Sequence, residues 1–411
     1  RRRAMRPTTT SVQRHAAFNH DAADRQPREQ GGTAAPLEQQ SDLEGTAQHS
    51  VPLLLLVLVW YSASVVAIAS AKTLLLAAPC PAMLCAAQFT FAAVGTQLLQ
   101  QPQHQPLHAP ETRLVFFLAA SYALGFLLTN AAFTFAAPSF VETFKAAEPL
   151  STVGLAAAFL SEWESMATYA TLLPIVAGVA IASSSRATFS TAGMALALAS
   201  NVSFSGRAVL TKALKRRFPT ARASASDAHL FYHVSRFGVL LLLPFALLLD
   251  MPTLMDVLLL PGGMDANGAA YGEQGGRDNA TGIRVPTTAP KAVDTSAAPW
   301  TLLAWLAING TAHATYNGVS FVVLGRVSVA THAVLNIARR IVCIAAASAF
   351  FGTPVSLFNW GGVLLSGAGV LAFARSKEQG AGAERRTRAL LPLLSSAWSS
   401  RTARVGKLRE V

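Results

Sequence analysis

Residues Ala330–Phe351 read ATHAVLNIARRIVCIAAASAFF. The run is rich in Ala, Val and Ile and long enough to cross a bilayer, which takes about 20 predominantly apolar residues in a helix. Yet Arg339 and Arg340 stand at its centre. An ionisable side chain at that depth costs about 3 kcal/mol or more unless it is paired or faces a polar cavity, so it marks a functional position. A membrane helix with one face turned to an internal site reconciles the two features.

The same apolar pattern recurs outward in both directions. Comparable runs extend over Val51–Ala71, Ala82–Leu99, Leu114–Ala136, Ser139–Leu160, Met166–Ser184, Ala192–Ala213, Phe231–Leu249, Trp300–Leu324 and Leu357–Phe373. With Ala330–Phe351 they predict an all-α membrane protein of about ten transmembrane helices. Only 13% of the 411 residues are charged and 52% are apolar, against about 25% charged in ordinary soluble domains. That balance excludes an ordinary soluble enzyme.

The formal charge of +12 would point to nucleic acid on a soluble protein, but its distribution points elsewhere. Basic residues crowd the first 30 positions, Lys212 to Arg222 and the tail after Phe373. An even number of spans puts all three segments on one face, as the positive-inside bias requires. The expected partners are therefore membrane lipid and a small molecule, with no nucleic acid.

Three regions follow. Residues 1–50 form a polar segment with seven arginines and six acidic residues, read as targeting or disordered sequence; its acids make it a poor transit peptide. The start on arginine predicts a truncated beginning. Residues 51–377 form the helical membrane domain, interrupted at 261–299 by a Gly/Ala/Thr/Pro-rich loop expected to be disordered. Residues 378–411 form a basic tail. Asn279-Ala280-Thr281 is a formal glycosylation sequon.

A shift of 191 positions lays Phe159-Leu160-Ser161 on Phe350-Phe351-Gly352 and Ala177-Gly178-Val179 on Ala368-Gly369-Val370. The chain thus reads as five helices plus five. Because five is odd, the second copy is inverted relative to the first, the architecture of secondary transporters whose substrate sites lie between the halves. Similar composition of small-residue helices is the competing explanation of the match.

Six ionisable residues fall deep in the spans: Glu142, Lys145, Glu148, Arg207, Arg339 and Arg340. Lys145 lies in the fourth helix and the two arginines in the ninth, corresponding helices of the halves, so the three cations are expected to converge on one cavity. Such a cavity is comfortable only when an anion fills it. Phosphate suits it, because its oxygens accept forked bonds from guanidinium and a point contact from ammonium; carboxylate and sulfate remain alternatives. The structural alternative pairs Lys145 with Glu142 and Glu148, three residues to either side, and lets the arginines snorkel to an interface.

Thr129 and Tyr316 are placed to orient a small substrate, while Asn130 and Asn317 read as interhelical hydrogen-bonding groups. His313 and His332 lack neighbouring ligands at metal spacing, and Cys80, Cys85 and Cys343 form no paired motif. No metal or cofactor is expected. Neither paired catalytic carboxylates nor an activated nucleophile can be assembled, so an enzyme is not expected either.

Phe144-Lys145-Ala146-Ala147-Glu148-Pro149, Ser200-Asn201-Val202-Ser203-Phe204 with Arg207, Tyr316-Asn317, and Arg326-Val327-Ser328 through Thr331-His332-Ala333-Val334 and Asn336 to Arg339-Arg340 resemble the triose-phosphate/phosphate translocator family of plastid envelopes. Phe351-Gly352-Thr353-Pro354-Val355-Ser356 is similar to its phosphoenolpyruvate branch. The resemblance spans about 51–377 and implies a ten-helix drug/metabolite-transporter fold in the plastid inner envelope. The implied activity is antiport of inorganic phosphate against a phosphorylated C3 or related sugar metabolite, such as phosphoenolpyruvate or triose phosphate.

By that resemblance Lys145 matches the phosphate-binding lysine and Arg340 the arginine of a Lys-Arg pair, with Arg339 where the lysine is expected. Thr129 and Tyr316 match contacts to the organic moiety, and Arg207 another basic cavity position. Phe126 stands where histidine or asparagine is frequent, which removes a hydrogen-bonding group and argues against triose phosphate. Glu142 replaces a histidine and sets a negative charge one helical turn from Lys145, with weakened phosphate binding or proton coupling as its alternative consequences. A nucleotide-sugar or other organic-anion carrier of the Golgi or endoplasmic reticulum, and a non-transporting membrane receptor or scaffold, remain as alternatives.

Overall fold

The computed structural model describes residues 51–100, 107, 109–184, 189–218, 227–259, 299–324, 326–327, 329–353 and 355–380. The polar segment 1–50, the sequon and most of the 261–299 loop and the basic tail lie outside them. At the edges, Pro299 already opens a helix and residues 378–380 still belong to one, so loop and tail are slightly shorter than their composition predicts.

The described residues are helical and contain no strand. The helices are α1 (Leu53–Ala77), α2 (Pro81–Gln100), α3 (Ala109–Phe135), α4 (Pro138–Lys145), α5 (Glu148–Leu160), α6 (Met166–Ala170), α7 (Leu172–Ala182) and α8 (Thr191–Arg217). They continue with α9 (Asp227–Phe245), a π-helical turn at Ala246–Asp250, α10 (Met251–Leu259), α11 (Pro299–Leu324), α12 (Val329–Phe350) and α13 (Leu357–Gly380). Each apolar run read from the sequence coincides with one helix or with two consecutive ones. Leu53–Ala77, Ala109–Phe135, His229–Asp256 and Leu357–Gly380 are long and apolar enough to cross a membrane on length and composition alone. Large apolar side chains such as Leu54, Leu98, Leu240, Leu248 and Leu303 stand exposed along the bundle, as lipid contact requires.

Local chemistry sets the breaks. Pro138 opens α4, with two residues, Ala136 and Ala137, between it and the end of α3. Pro149 then divides what reads as one span: proline has no N–H to donate to the Lys145 carbonyl four residues back, and its ring clashes with that carbonyl, so α4 stops at Lys145 and α5 begins at Glu148. Pro244 lies inside α9 just before the π-helical turn, a usual cause of a kink. That turn carries Asp250, whose Oδ2 accepts the Met83 backbone N–H at 2.7 Å and so satisfies an orphan donor at the start of α2.

The bundle packs α3 along α8 and α1 along α11, sets α2 between α9 and α11, and lays α12 against α4 and α1. One apolar core joins α2, α3, α8 and α9 through residues such as Phe89, Leu118 and Phe231. A second surrounds Leu75, Phe133, Phe140 and Phe144.

Glycines bring α7 and α13 into backbone contact. A Cβ on Gly178 would lie 2.3 Å from the Ser366 backbone nitrogen, and one on Gly369 would lie 2.8 Å from the Ile175 backbone nitrogen. The 191-residue shift carries Gly178 to Gly369 and Ile175 to Ser366. These are therefore the same contact seen from the two halves, the reciprocity expected across a two-fold axis.

At one end of the bundle, Glu162 pairs with Lys212 and Arg216 of α8, while Glu164 lies 2.8 Å from Lys377 of α13. Two basic segments that the sequence assigns to one face thus meet at one loop. Partial burial of Glu162 raises its proton affinity, but the Lys212 ammonium and Arg216 guanidinium outweigh it and hold the carboxyl below the usual carboxylate range.

Candidate functional site

Breaking the helix at Pro149 fixes the first part of the site. Lys145 occupies the last turn of α4, where a cation complements the helix dipole, and Glu148 the first turn of α5, where an anion does. On α12, Asn336, Arg339, Arg340 and Cys343 fall three or four residues apart and share a face. Arg339 donates from Nε to Asn336 Oδ1 at 3.0 Å.

These elements enclose a cavity of about 220 Å³ lined from α1, α2, α3, α4, α5, α8, α11 and α12. Lys145, Arg339, Arg340, Thr129, Arg207, Tyr316 and Phe126 all line it. The sequence-derived candidates therefore share one pocket, although they lie on five helices far apart in the chain.

The cations differ in how they are held. Arg340 bridges both carboxylates, with Nη1 3.3 Å from Glu142 Oε2 and Nη2 3.0 Å from Glu148 Oε2. The ion pairs that the structural alternative gave to Lys145 are thus made by Arg340 from the other half of the chain. Lys145 Nζ instead donates to Thr129 Oγ1 at 3.1 Å and stands 4.7 Å from the centroid of the Phe204 ring. Arg339 Cζ lies 5.9 Å from the Trp60 ring and 6.0 Å from the Tyr316 ring, within cation–π range. It does not snorkel to an interface.

Arg207 is held by a ring as well. Its Cζ is 4.9 Å from the Tyr122 ring, and its buried Nε has no hydrogen-bond partner. Tyr122, Phe126 and Phe204 form a triangle of rings, with centroids 4.9 Å apart for Tyr122–Phe126, 5.1 Å for Phe126–Phe204 and 6.0 Å for Tyr122–Phe204. His313 closes edge-on against Phe126 at 4.7 Å. Formally, four cations face two carboxylates in the pocket, a surplus of two positive charges with its histidines neutral.

A polar chain behind the pocket was only half visible in sequence. Asn130 donates to Gln88, Gln88 to Asn309, and Asn309 to the Ala67 carbonyl and Ser70 Oγ, at 2.8–3.0 Å. It ties α3, α2, α11 and α1 together, the interhelical role read for Asn130. Asn317 likewise accepts from the Tyr122 hydroxyl at 2.9 Å. Gln88 and Asn309 were missed, though a lone amide in an apolar run was the available signal. His332 packs on Trp60 with centroids 5.1 Å apart and lies 3.2 Å from Ser320 Oγ. Cys80, Cys85 and Cys343 are buried and unlinked.

Comparison with known proteins gives a consistent picture. The sequence profile described as the Triose-phosphate Transporter family matches residues 51–271 and 279–374. The chain is 31% identical over 322 residues to phosphoenolpyruvate/phosphate translocator 2, chloroplastic, of Arabidopsis thaliana, covering 78% of this chain and 75% of that one. It is 29% identical over 336 residues to phosphoenolpyruvate/phosphate translocator 3, chloroplastic, of Oryza sativa subsp. japonica, covering 81% and 76%. To the triose phosphate/phosphate translocator, non-green plastid, chloroplastic, of Brassica oleracea var. botrytis it is 28% identical over 351 residues, covering 84% and 77%.

Proposed function

The chain belongs to the Triose-phosphate Transporter family, and on that premise we propose that it is a multi-pass antiporter of a plastid membrane, in the inner envelope. It exchanges inorganic phosphate for a phosphorylated three-carbon metabolite, phosphoenolpyruvate in preference to triose phosphate, by alternating access between two inverted halves. It makes and breaks no covalent bond.

The observation that carries this reading is the pocket's surplus of two positive charges, drawn from both halves of the chain. Lys145, Arg339 and Arg340 hold the phosphate, and Thr129 and Tyr316 orient the organic part. Arg207, beside the Tyr122 ring and with an unpartnered Nε, receives the carboxylate of a phosphorylated acid. Phe126 presents a ring where a hydroxylated triose would need a hydrogen-bonding group, and leaving such a group unpaired costs about 1–3 kcal/mol.

Exchange follows from the same charges. An empty pocket passing through a dehydrated state would carry its cations uncompensated, at a cost of several kcal/mol per ion. A bound dianion cancels the surplus, so only the loaded carrier turns round.

A nucleotide-sugar carrier is disfavoured by the cavity of about 220 Å³, below the ~300–1,000 Å³ of pockets that enclose drug-sized ligands. The test is counter-exchange in liposomes preloaded with labelled phosphate and offered phosphoenolpyruvate, triose phosphate, phosphoglycerate, hexose phosphate or a nucleotide sugar. The proposal expects fastest release with phosphoenolpyruvate. Release by nucleotide sugar alone would replace it, and phosphate binding without flux would mark a receptor.

A further inference from the structure

Glu142 is one of the least exposed groups in the pocket, with 5% of its side chain accessible against 28% for Glu148. Its partner is the guanidinium that a bound phosphate would also engage. The charged and titratable groups that share the pocket with it are Lys145 and Glu148 of its own broken helix, Tyr122 of α3, Arg207 of α8, His313 and Tyr316 of α11, and His332, Arg339 and Arg340 of α12, with Cys343 next to Arg339. Among these only Glu148 is a second carboxylate. Glu148 is the more exposed of the two and sits in the first turn of α5.

The surplus of two positive charges matches inorganic phosphate, which is doubly charged at weakly alkaline pH, as is a phosphomonoester. A phosphorylated carboxylic acid adds a third negative charge. Its complex with the pocket would then be anionic, and an uncompensated charge in a dehydrated site is neutralised by a proton rather than tolerated.

Resting on the exchange of phosphate for such an acid, we propose that Glu142 is the proton acceptor that balances the third charge. Either substrate's phosphate draws Arg340 from Glu142, but only the acid's third negative charge leaves the pocket anionic, and the dehydrated Glu142 carboxylate then binds one proton from water on the side the substrate entered. The proton crosses as the carboxyl O–H and returns to water on the far side, when the substrate leaves and Glu142 regains Arg340. Phosphate then travels back with Glu142 ionised. One direction moves three negative charges and one proton and the other moves two negative charges, so the cycle is electroneutral and coupled to pH.

The experiment uses the full chain in liposomes at weakly alkaline pH, loaded with phosphate and a trapped pH-sensitive dye, with potassium and valinomycin to set the potential. Labelled phosphate and labelled phosphoenolpyruvate are followed in parallel with the dye. Wild-type protein should acidify the lumen in step with phosphoenolpyruvate entry, give no acidification in phosphate-for-phosphate exchange, and keep the same rate at any imposed potential. Glu142→Gln should lose the acidification and become faster at inside-positive potential, whereas Glu148→Asp, which keeps the pocket's net charge, should retain acidification.

Unchanged acidification in Glu142→Gln puts the proton on the substrate or on Glu148 and overturns the assignment. So does voltage-driven, proton-silent uptake by the wild type, which decides the matter even if Glu142→Gln does not assemble. Absence of phosphoenolpyruvate exchange while phosphate still exchanges overturns it too. Absence of every exchange by the wild type defeats the functional reading itself.

Discussion

Arg340 Nη2 lies 3.0 Å from Glu148 Oε2 although the residues are 192 positions apart. The contact closes the pocket between α12 and the broken α4–α5 pair, so it is at once a link between the two halves and the place where an anion would compete. Removing the guanidinium therefore strands two carboxylates, Glu142 and Glu148, at a cost of about 3–5 kcal/mol for a broken buried pair.

Arg340→Ala should accordingly abolish phosphate exchange and lower the melting temperature in detergent by roughly 5–10 °C. Combining it with Glu142→Gln should recover most of the stability and none of the exchange. A single variant that exchanges phosphate normally would remove Arg340 from the site.

Lys145→Ala separates binding from folding. Lys145 has one hydrogen bond, to Thr129, and one ring contact, so its loss should leave melting within a few degrees of wild type. Phosphate exchange should fall about 10–100-fold, the worth of one charge-assisted hydrogen bond of ~1.5–3 kcal/mol. Saturation curves against phosphate concentration check it.

Phe126→Asn should shift preference towards triose phosphate. The amide restores a hydrogen-bonding group among Tyr122, Phe204 and His313, and one hydrogen bond of ~1–1.5 kcal/mol is about tenfold in relative rate. The ratio of triose phosphate to phosphoenolpyruvate counter-exchange measures it.

The seam between α7 and α13 gives a prediction free of the site. Gly178→Ala forces backbone against backbone at Ser366 and Gly362 and should cost about 1–3 kcal/mol. Gly154→Ala is the control, since a Cβ there meets nothing within 4 Å and alanine favours helix by about 1 kcal/mol. Thermal melts of the two should move in opposite directions.

At the bundle end, Glu162 titrates below the usual carboxylate range because Lys212 and Arg216 stabilise its anion more than partial burial opposes it. A depressed folded-state value means stabilisation present above the unfolded carboxylate range, near about 4.3, and lost as pH falls through the folded value. The melting difference between wild type and Glu162→Gln should be steady at neutral pH, shrink in acid and shrink with added salt.

Much of this was legible in the residues, for physical reasons. Every helix that crosses the apolar interior needs a long apolar run, and charges inside such runs are rare, so Lys145, Arg339 and Arg340 announced themselves. Partners were harder to read. Lys145 is the nearest cation to Glu142 in sequence, yet Arg340, distant in the chain, supplies the ion pair, because pairing is settled by helix packing rather than by spacing. The break at Pro149 was also hidden inside an apolar run that reads as one span. Gln88 and Asn309 looked like isolated amides until the bundle brought them within 2.9 Å.

The central claim is that an unoccupied pocket, carrying its positive surplus, does not cross. Efflux of labelled phosphate from loaded liposomes into buffer with and without external phosphate measures this directly. The account predicts release only when substrate is present outside; equal release into substrate-free, membrane-impermeant buffer would contradict it.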